Sequence, residues 1–336
     1  MMMMRTAYGG CRIGIIDKQA RKGVDVAMSD FHQIEWDDLL ADDCRQIVRL
    51  AVREDLDRWQ DWTTVALVAH DARGTAAVVV REDGVLAGLP AAELVLDEMN
   101  VAVQFVPQAV DGQSVRAGQT VALIEGATRD MLTCERIVLN MLGRLSGIAT
   151  TAHRFVEAVG GHAVGIYDTR KTTPGWRRLE KYAAHCGGAR NHRTGLFDAI
   201  LIKDNHLAAG AGPLAAASAV RRAKEYLAAH VPSDIARDMI VEVEVDSLEQ
   251  LSDVLPEAPD IVLLDNMSLG ELRRAVEIRN ASAGDVQLEA SGGVSLDTVA
   301  EIAATGVDRI SVGALTRSAV ALDIGLDWIR RPQTPA

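Results

Sequence analysis

Phe, Trp and Tyr make up only 4% of this 336-residue chain, too few for the aromatic platforms on which single-stranded nucleic acid stacks. Basic residues are also scarce, with 35 Lys and Arg against 47 Asp and Glu, a formal charge of −12 and a pI near 5.2. A chain this acidic repels polyanions as a whole, which argues against a general nucleic-acid or anionic-membrane partner. Its four cysteines, Cys11, Cys44, Cys134 and Cys186, lie far apart and form no metal or redox spacing. Reduced thiols in the cytoplasm are the expectation, with no disulfide framework. No apolar run reaches the ~18 residues of a membrane helix, and the first residues contain no apolar core of signal-peptide length.

What remains is ordinary globular material, 48% apolar and 24% charged, long enough for one large domain and a smaller one. Residues 1–28 lack periodicity and are expected to form a disordered extension, with Met28 as an alternative start. From residue 30 the apolar spacing is helical, and Asp30 or Asp37 is placed to cap it. "TAAVVVREDGVLAGL" reads as a hairpin turning at Asp83-Gly84, followed by a helix after Pro90 and strands at "AVQFV" and "TVALIEG". A long amphipathic helical stretch beginning at Thr128 connects this α+β unit, residues 29–145, to the second half.

From residue 163 short apolar runs alternate with helical segments: 163–168, 199–203, 240–246, 261–265, 286–291 and 309–313. Such β-then-α alternation without a dinucleotide glycine fingerprint predicts a parallel α/β barrel over 146–330, with six strands an incomplete one. The runs end in Asp168, Lys203, Glu244, Asp265, Ser291 and Gly313. Carboxyl ends of barrel strands carry active sites, so these residues are expected to ring one mouth.

The charge of that mouth is local and positive. Between Arg170 and His206 stand Arg170, Lys171, Arg177, Arg178, Lys181, Arg190, Arg193 and Lys203, against Glu180, Asp198 and Asp204 alone. In an acidic chain this reads as a pocket for a small, multiply charged anion, held bidentately by guanidinium groups. "VEVEVD" places Glu242, Glu244 and Asp246 on one strand face; Glu244 is the functional candidate, and Glu242 either functions too or pairs with a buried lysine. Lys203 shares a face with Leu201, and Asp265 either lines the mouth or caps the helix at "SLGEL". Gly292-Gly293 and Gly313 let backbone N–H groups approach an anion, the former just before a helix whose dipole would assist. Carboxylates beside a phosphate site suit a divalent metal shared with substrate phosphates, and equally the stabilisation of a developing positive charge.

In this order, "DTRKTTPGWRRLEKYA", "GGARNHRTGLFDAILIKDNH", "VEVEVDSLEQL", "VLLDNM", "EASGGV" and "SVGALT" resemble quinolinate phosphoribosyltransferase, and "DWTT" and "ERIVLNMLGRLSGIAT" extend the likeness over about residues 35–330. The resemblance implies an N-terminal α/β sandwich followed by an incomplete parallel α/β barrel, working as a cytoplasmic homodimer with shared active sites. It implies a reaction of quinolinate with phosphoribosyl pyrophosphate and magnesium, giving nicotinate mononucleotide, pyrophosphate and carbon dioxide. By resemblance Arg136, Thr169, Arg170, Lys171, His192, Arg193 and Lys203 bind the quinolinate carboxylates and substrate phosphates. Glu244 and Asp265 face ribose and magnesium, and Ser291, Gly292, Gly293 and Gly313 hold the 5′-phosphate; Lys171, Lys203, Glu244 and Asp265 form the catalytic set. Two positions depart from the family pattern: Arg317 stands where His is common, and Trp176 where a smaller aliphatic is usual. The residues alone also fit a relative acting on another acceptor, a Schiff-base aldolase with Lys203 as nucleophile, or a phosphosugar-binding barrel without catalysis.

Overall fold

The structure, a computed structural model, describes residues 30–209, 215–282 and 285–333. The extension expected over residues 1–28 lies outside them. The first helix, α1 (Asp38–Leu56), starts where Asp37 accepts the Leu40 N–H at 2.7 Å. Asp30 does not cap; it accepts from Arg309 at 3.0 Å instead, because a buried guanidinium needs a carboxylate more than an exposed helix end does. Then come α2 (Trp62–Leu67), β1 (Arg73–Val80), β2 (Gly84–Val85), α3 (Leu89–Met99) with Pro90 in its first turn, β3 (Val103–Pro107), β4 (Ser114–Val115) and β5 (Thr120–Ala127). The helix α4 (Thr128–Ala158) runs unbroken for 31 residues, so the expected boundary at 145/146 falls inside it.

The hairpin expected at Asp83-Gly84 is absent: β1 pairs antiparallel with β5, while β2 pairs with β4 in a separate ribbon. Its cause lies in α4, where Thr150 Oγ1 accepts the Val85 N–H at 2.9 Å and so draws β2 away from β1. The unpaired side of β1 is filled by the chain's last strand.

The second half contains β6 (Gly165–Tyr167), α5 (Arg177–Cys186), β7 (Ala199–Ile202), α6 (Asp204–Ala208), α7 (Ala216–His230), α8 (Ser233–Asp238), β8 (Ile240–Val245), α9 (Leu248–Val254), β9 (Ile261–Asp265), α10 (Leu269–Ala281), β10 (Gln287–Ser291), α11 (Val299–Ala303), β11 (Arg309–Ser311) and α12 (Ala314–Arg317). All six strands lie within the apolar runs of the sequence. They form one parallel sheet in the order β6-β11-β10-β9-β8-β7, with β6 and β7 at its edges. Among the described residues β6 and β7 do not pair with each other; Tyr167 of β6 bridges instead to Arg190, in the segment between α5 and β7, so the barrel is incomplete. β12 (Ile324–Gln333) then leaves the barrel and pairs with β1, giving an antiparallel sheet β12-β1-β5-β3. The protein is therefore α/β, an antiparallel-sheet unit followed by a six-stranded parallel one.

Phe31 closes the amino end of the barrel, packed on Ala199, Ile240 and Ile261, the first residues of β7, β8 and β9.

Candidate active site

Just above Phe31, the buried Arg309 guanidinium lies 3.6 Å over the Tyr167 ring and 2.8 Å from Glu289. The imidazole of His192 stacks on Phe31 at 4.3 Å and points Nε2 at Glu242 (3.1 Å) and Glu289 (3.5 Å). Burial opposes charge on His192, but the two carboxylates override it and push the imidazole up to about 10. The Arg193 N–H, 2.8 Å from Nδ1, asks instead for a lone pair on that nitrogen. These demands disagree about the second ring proton, and the two buried, charged carboxylates favour the imidazolium over a single neutral N–H. Both agree on the first proton, which belongs on Nε2. Burial likewise acts against ionised Glu289, and His192 and Arg309 hold it down at about 2.

Three acidic or imidazole groups this close also match a metal-ligand set. Their pairing argues otherwise, since Nε2 points its proton at the carboxylates and Glu289 already faces a guanidinium. Glu242 thus pairs with a histidine, not the expected lysine. The lysine below the surface, Lys181, is paired with Asp168 and donates to the His192 carbonyl at 2.8 Å. Burial drives Asp168 up and Lys181 down, and their contact opposes both shifts. Asp168, expected at the mouth, is fully buried and accepts from Lys181, Asn191 (2.7 Å) and the His192 N–H (2.9 Å). It is satisfied internally, which removes it from the ring of strand ends.

Above this floor opens a cavity of about 280 Å³ lined by Thr169, Arg170, Lys171, His192, Arg193, Leu201, Lys203, Leu263, Glu289, Ser291 and Ser311. Seven of these belong to the residues singled out in the sequence. Arg193 is buried, and its guanidinium is depressed by burial first and then by neighbouring Arg170. Arg170 Nε is buried with no hydrogen-bond partner among the described residues. Lys203 pairs with Glu244, which is mostly buried. Asp265 sits opposite Ser291 in the β9/β10 register and accepts from Asn266 at 2.7 Å. It does not cap α10; Ser268 does, through a capping box with Glu271.

The glycines are placed differently from the helix-dipole expectation. After Gly293 a Ser295–Thr298 turn precedes α11, a helix of five residues, so no helix end abuts the Gly-Gly pair. Gly292 is required because its φ is +96° and a Cβ would lie 2.1 Å from Asn266 Oδ1. Gly313 has ordinary φ, but a Cβ there would press on the Lys171 stem at 3.1 Å. Arg136 is outside the cavity, exposed on α4, and its one ion pair among the described residues is with Glu135 at 4.0 Å.

Sequence reasoning missed Glu289, Leu263 and Ser311. The signal was present: "VQLEAS" puts Gln287, Glu289 and Ser291 on one face by the same alternation used for "VEVEVD".

Models of the two quinolinate phosphoribosyl transferase domains match here, the N-terminal domain over residues 61–146 and the C-terminal domain over 148–327. The chain belongs to this family. Among its relatives, the nicotinate-nucleotide pyrophosphorylase [carboxylating] of Mycobacterium leprae is 45% identical over 288 residues, covering 85% of this chain and 97% of that protein. A chloroplastic enzyme of the same name from Oryza sativa subsp. japonica is 36% identical over 301 residues, 84% of this chain and 77% of its own. The solved nicotinate-nucleotide pyrophosphorylase of Francisella tularensis superposes with a TM-score of 0.79 at 36% identity, over 89% of this chain and all of that one. Family membership removes the aldolase and the non-catalytic barrel as readings of Lys203. It agrees with the geometry, because a lysine ion-paired to Glu244 is a poor nucleophile.

Proposed function

We propose that the cavity joins quinolinate to phosphoribosyl pyrophosphate and releases pyrophosphate and carbon dioxide, leaving nicotinate mononucleotide, a step of NAD biosynthesis. One observation carries the proposal: a buried, unpartnered Arg170 Nε beside buried Arg193. Buried donors without acceptors are rare and expensive, and a substrate carboxylate supplies the missing acceptor. Arg170, Arg193 and Lys203 bind the two ring carboxylates with His192 beneath them, while Thr169 and Leu263 bound the ring. Lys171 and the backbone of Ser291, Gly292, Gly293 and Gly313 take the phosphates.

Glu244 and Asp265, at the ends of adjacent strands, face the ribose and balance the positive charge that develops as pyrophosphate leaves. Two carboxylates are too few for an octahedral oxygen shell, so they fit a magnesium ion held mainly through substrate phosphates. Magnesium would neutralise the departing pyrophosphate. After ribosylation the ring nitrogen is cationic and its charge stabilises the carbanion left on the adjacent carbon as carbon dioxide departs; that carbon then takes up a proton, while His192 and the guanidinium groups keep the ring in place.

Arg136 we assign to the partner subunit's site in a homodimer. We place the enzyme in the cytoplasm; no helix among the described residues is long and apolar enough to cross a membrane. Incubation with quinolinate, phosphoribosyl pyrophosphate and magnesium should release pyrophosphate and carbon dioxide in equal amounts. Pyrophosphate without carbon dioxide, or turnover with nicotinate in place of quinolinate, would reject the assignment of acceptor.

A further inference from the structure

Outside the cavity, a separate set of buried polar groups converges on Arg144 of α4. Its guanidinium donates to Glu180 Oε1 (2.6 Å), to the Thr316 carbonyl (2.7 Å) and to the Ala319 carbonyl (3.0 Å). Glu180, fully buried on α5, accepts the Thr173 N–H (3.1 Å) and hydroxyl (2.8 Å). Thr316, fully buried on α12, donates its hydroxyl to the Lys171 carbonyl at 2.9 Å. Both ends of the Lys171–Thr173 segment are therefore pinned, one to α12 and one to α5, and Arg144 holds both anchors.

The segment needs such anchors. "TRKTTPG" carries no large apolar side chain, so apolar burial contributes little toward the entropy of ordering it. Lys171 itself is exposed and pairs with no acid among the described residues, and its stem crosses the bare face of Gly313. The place of its ammonium is consequently set by the backbone below it.

We propose that Arg144, Glu180 and Thr316 are positioning residues that lock the Lys171 loop against the Gly313 loop and so fix the phosphate-binding half of the site, leaving the carboxylate-binding half untouched. Neither Arg144 nor Thr316 touches the cavity; they act by preorganising the residues that do. The proposal rests on the reading that Lys171 holds a substrate phosphate.

Thr316→Val removes one hydroxyl, and Thr316→Ser keeps it. The valine variant should lose about tenfold in kcat/KM for phosphoribosyl pyrophosphate, the loss expected when one hydrogen bond of roughly 1.4 kcal/mol is removed. Its calorimetric quinolinate affinity should stay within about twofold of the parent, and the serine variant should recover activity. Thr173→Val, at an exposed position that cannot unfold the core, should show the same pattern with a smaller loss. In a Lys171→Ala background, Thr316→Val should add less than about twofold, because the group it positions is gone. Equal losses for both substrates, or a full tenfold loss that persists without the Lys171 side chain, would overturn the proposal. A Lys171→Ala enzyme with parental kinetics would instead overturn the assignment of Lys171 itself, and the proposal with it.

Discussion

The floor and the mouth of this barrel are both built from charge, but opposite charges face each other on the floor while cations prevail at the mouth. On the floor, Asp30, Glu242 and Glu289 face Arg309 and His192 within hydrogen-bonding reach. At the mouth, the cavity lining carries Arg170, Lys171, Arg193 and Lys203 with Glu289 as its acid, and Lys203 pairs with Glu244 outside that lining. Desolvated charge must be compensated from somewhere. The floor compensates largely from within, although Arg309 Nη2, Glu242 Oε2 and Glu289 Oε1 have no hydrogen-bond partner among the described residues; the excess of cations at the mouth suits the anion proposed to bind there.

The comparison breaks most visibly if the mouth is discharged. Lys203→Ala, which leaves the Glu244 carboxylate without its partner and removes a carboxylate-binding cation, should lower kcat/KM by about 1,000-fold, within the range for truncating one member of a close charge pair. Borohydride and substrate added to the parent enzyme should trap no adduct; covalent labelling of Lys203 would restore the aldolase alternative.

Neutralising the mouth's acids should act on a different quantity. Glu244→Gln and Asp265→Asn should lower kcat by about 100-fold while calorimetric quinolinate affinity stays near parental, because charge that matters only in the transition state does not hold the ground state. Affinity falling in step with kcat would reject these roles.

Arg136 sharpens the comparison by asking whether the mouth is completed from outside. Arg136→Ala and Lys203→Ala homodimers should each be nearly inactive. After subunit exchange about half the dimers are mixed, each with one intact site of two, so activity should return to about a quarter of parental. No recovery after verified exchange would leave Arg136 with Glu135 on its own helix.

The floor answers to acid, not to substrate. Glu289 ionises at about 2 in the fold against an ordinary 4.5. Its stabilising contribution is therefore fully present above about pH 4.5 and is lost as pH falls toward 2. Between those values the parent should lose about 3 kcal/mol of unfolding free energy that Glu289→Gln does not, as urea titrations at matched pH would show. Identical pH slopes would mean that the floor is not charged as described.

Much of this was legible in the sequence because it depends on period and order. Alternation located all six parallel strands, and of the residues at their ends Lys203 and Ser291 line the cavity, while Glu244 and Asp265 lie outside its lining. Partner choice was not legible. "VEVEVD" reveals that Glu242 faces inward, yet nothing local says that it meets a histidine fifty residues earlier in the chain rather than a lysine. Asp168 shows the same limit in reverse: it ends a strand like the others, and only the fold reveals that Lys181 and Asn191 have claimed it. The hairpin failed for a third reason, since Asp83-Gly84 describes the turn and not the distant strand that competes for β1.

That distant strand orders events in time. β1 is made early and β12 last, with Arg73 aligned to Gln333 and Val80 to Ile324, so while the barrel is being synthesised the first sheet keeps one edge open. Contacts of such sequence separation form slowly, and an open edge invites pairing with other chains. Completion of the N-terminal sheet thus waits until β12, which follows every barrel strand in the chain, has been made. A chain stopped at residue 323 would carry every barrel strand and every proposed site residue, and still present β1 as an unpaired edge to its neighbours.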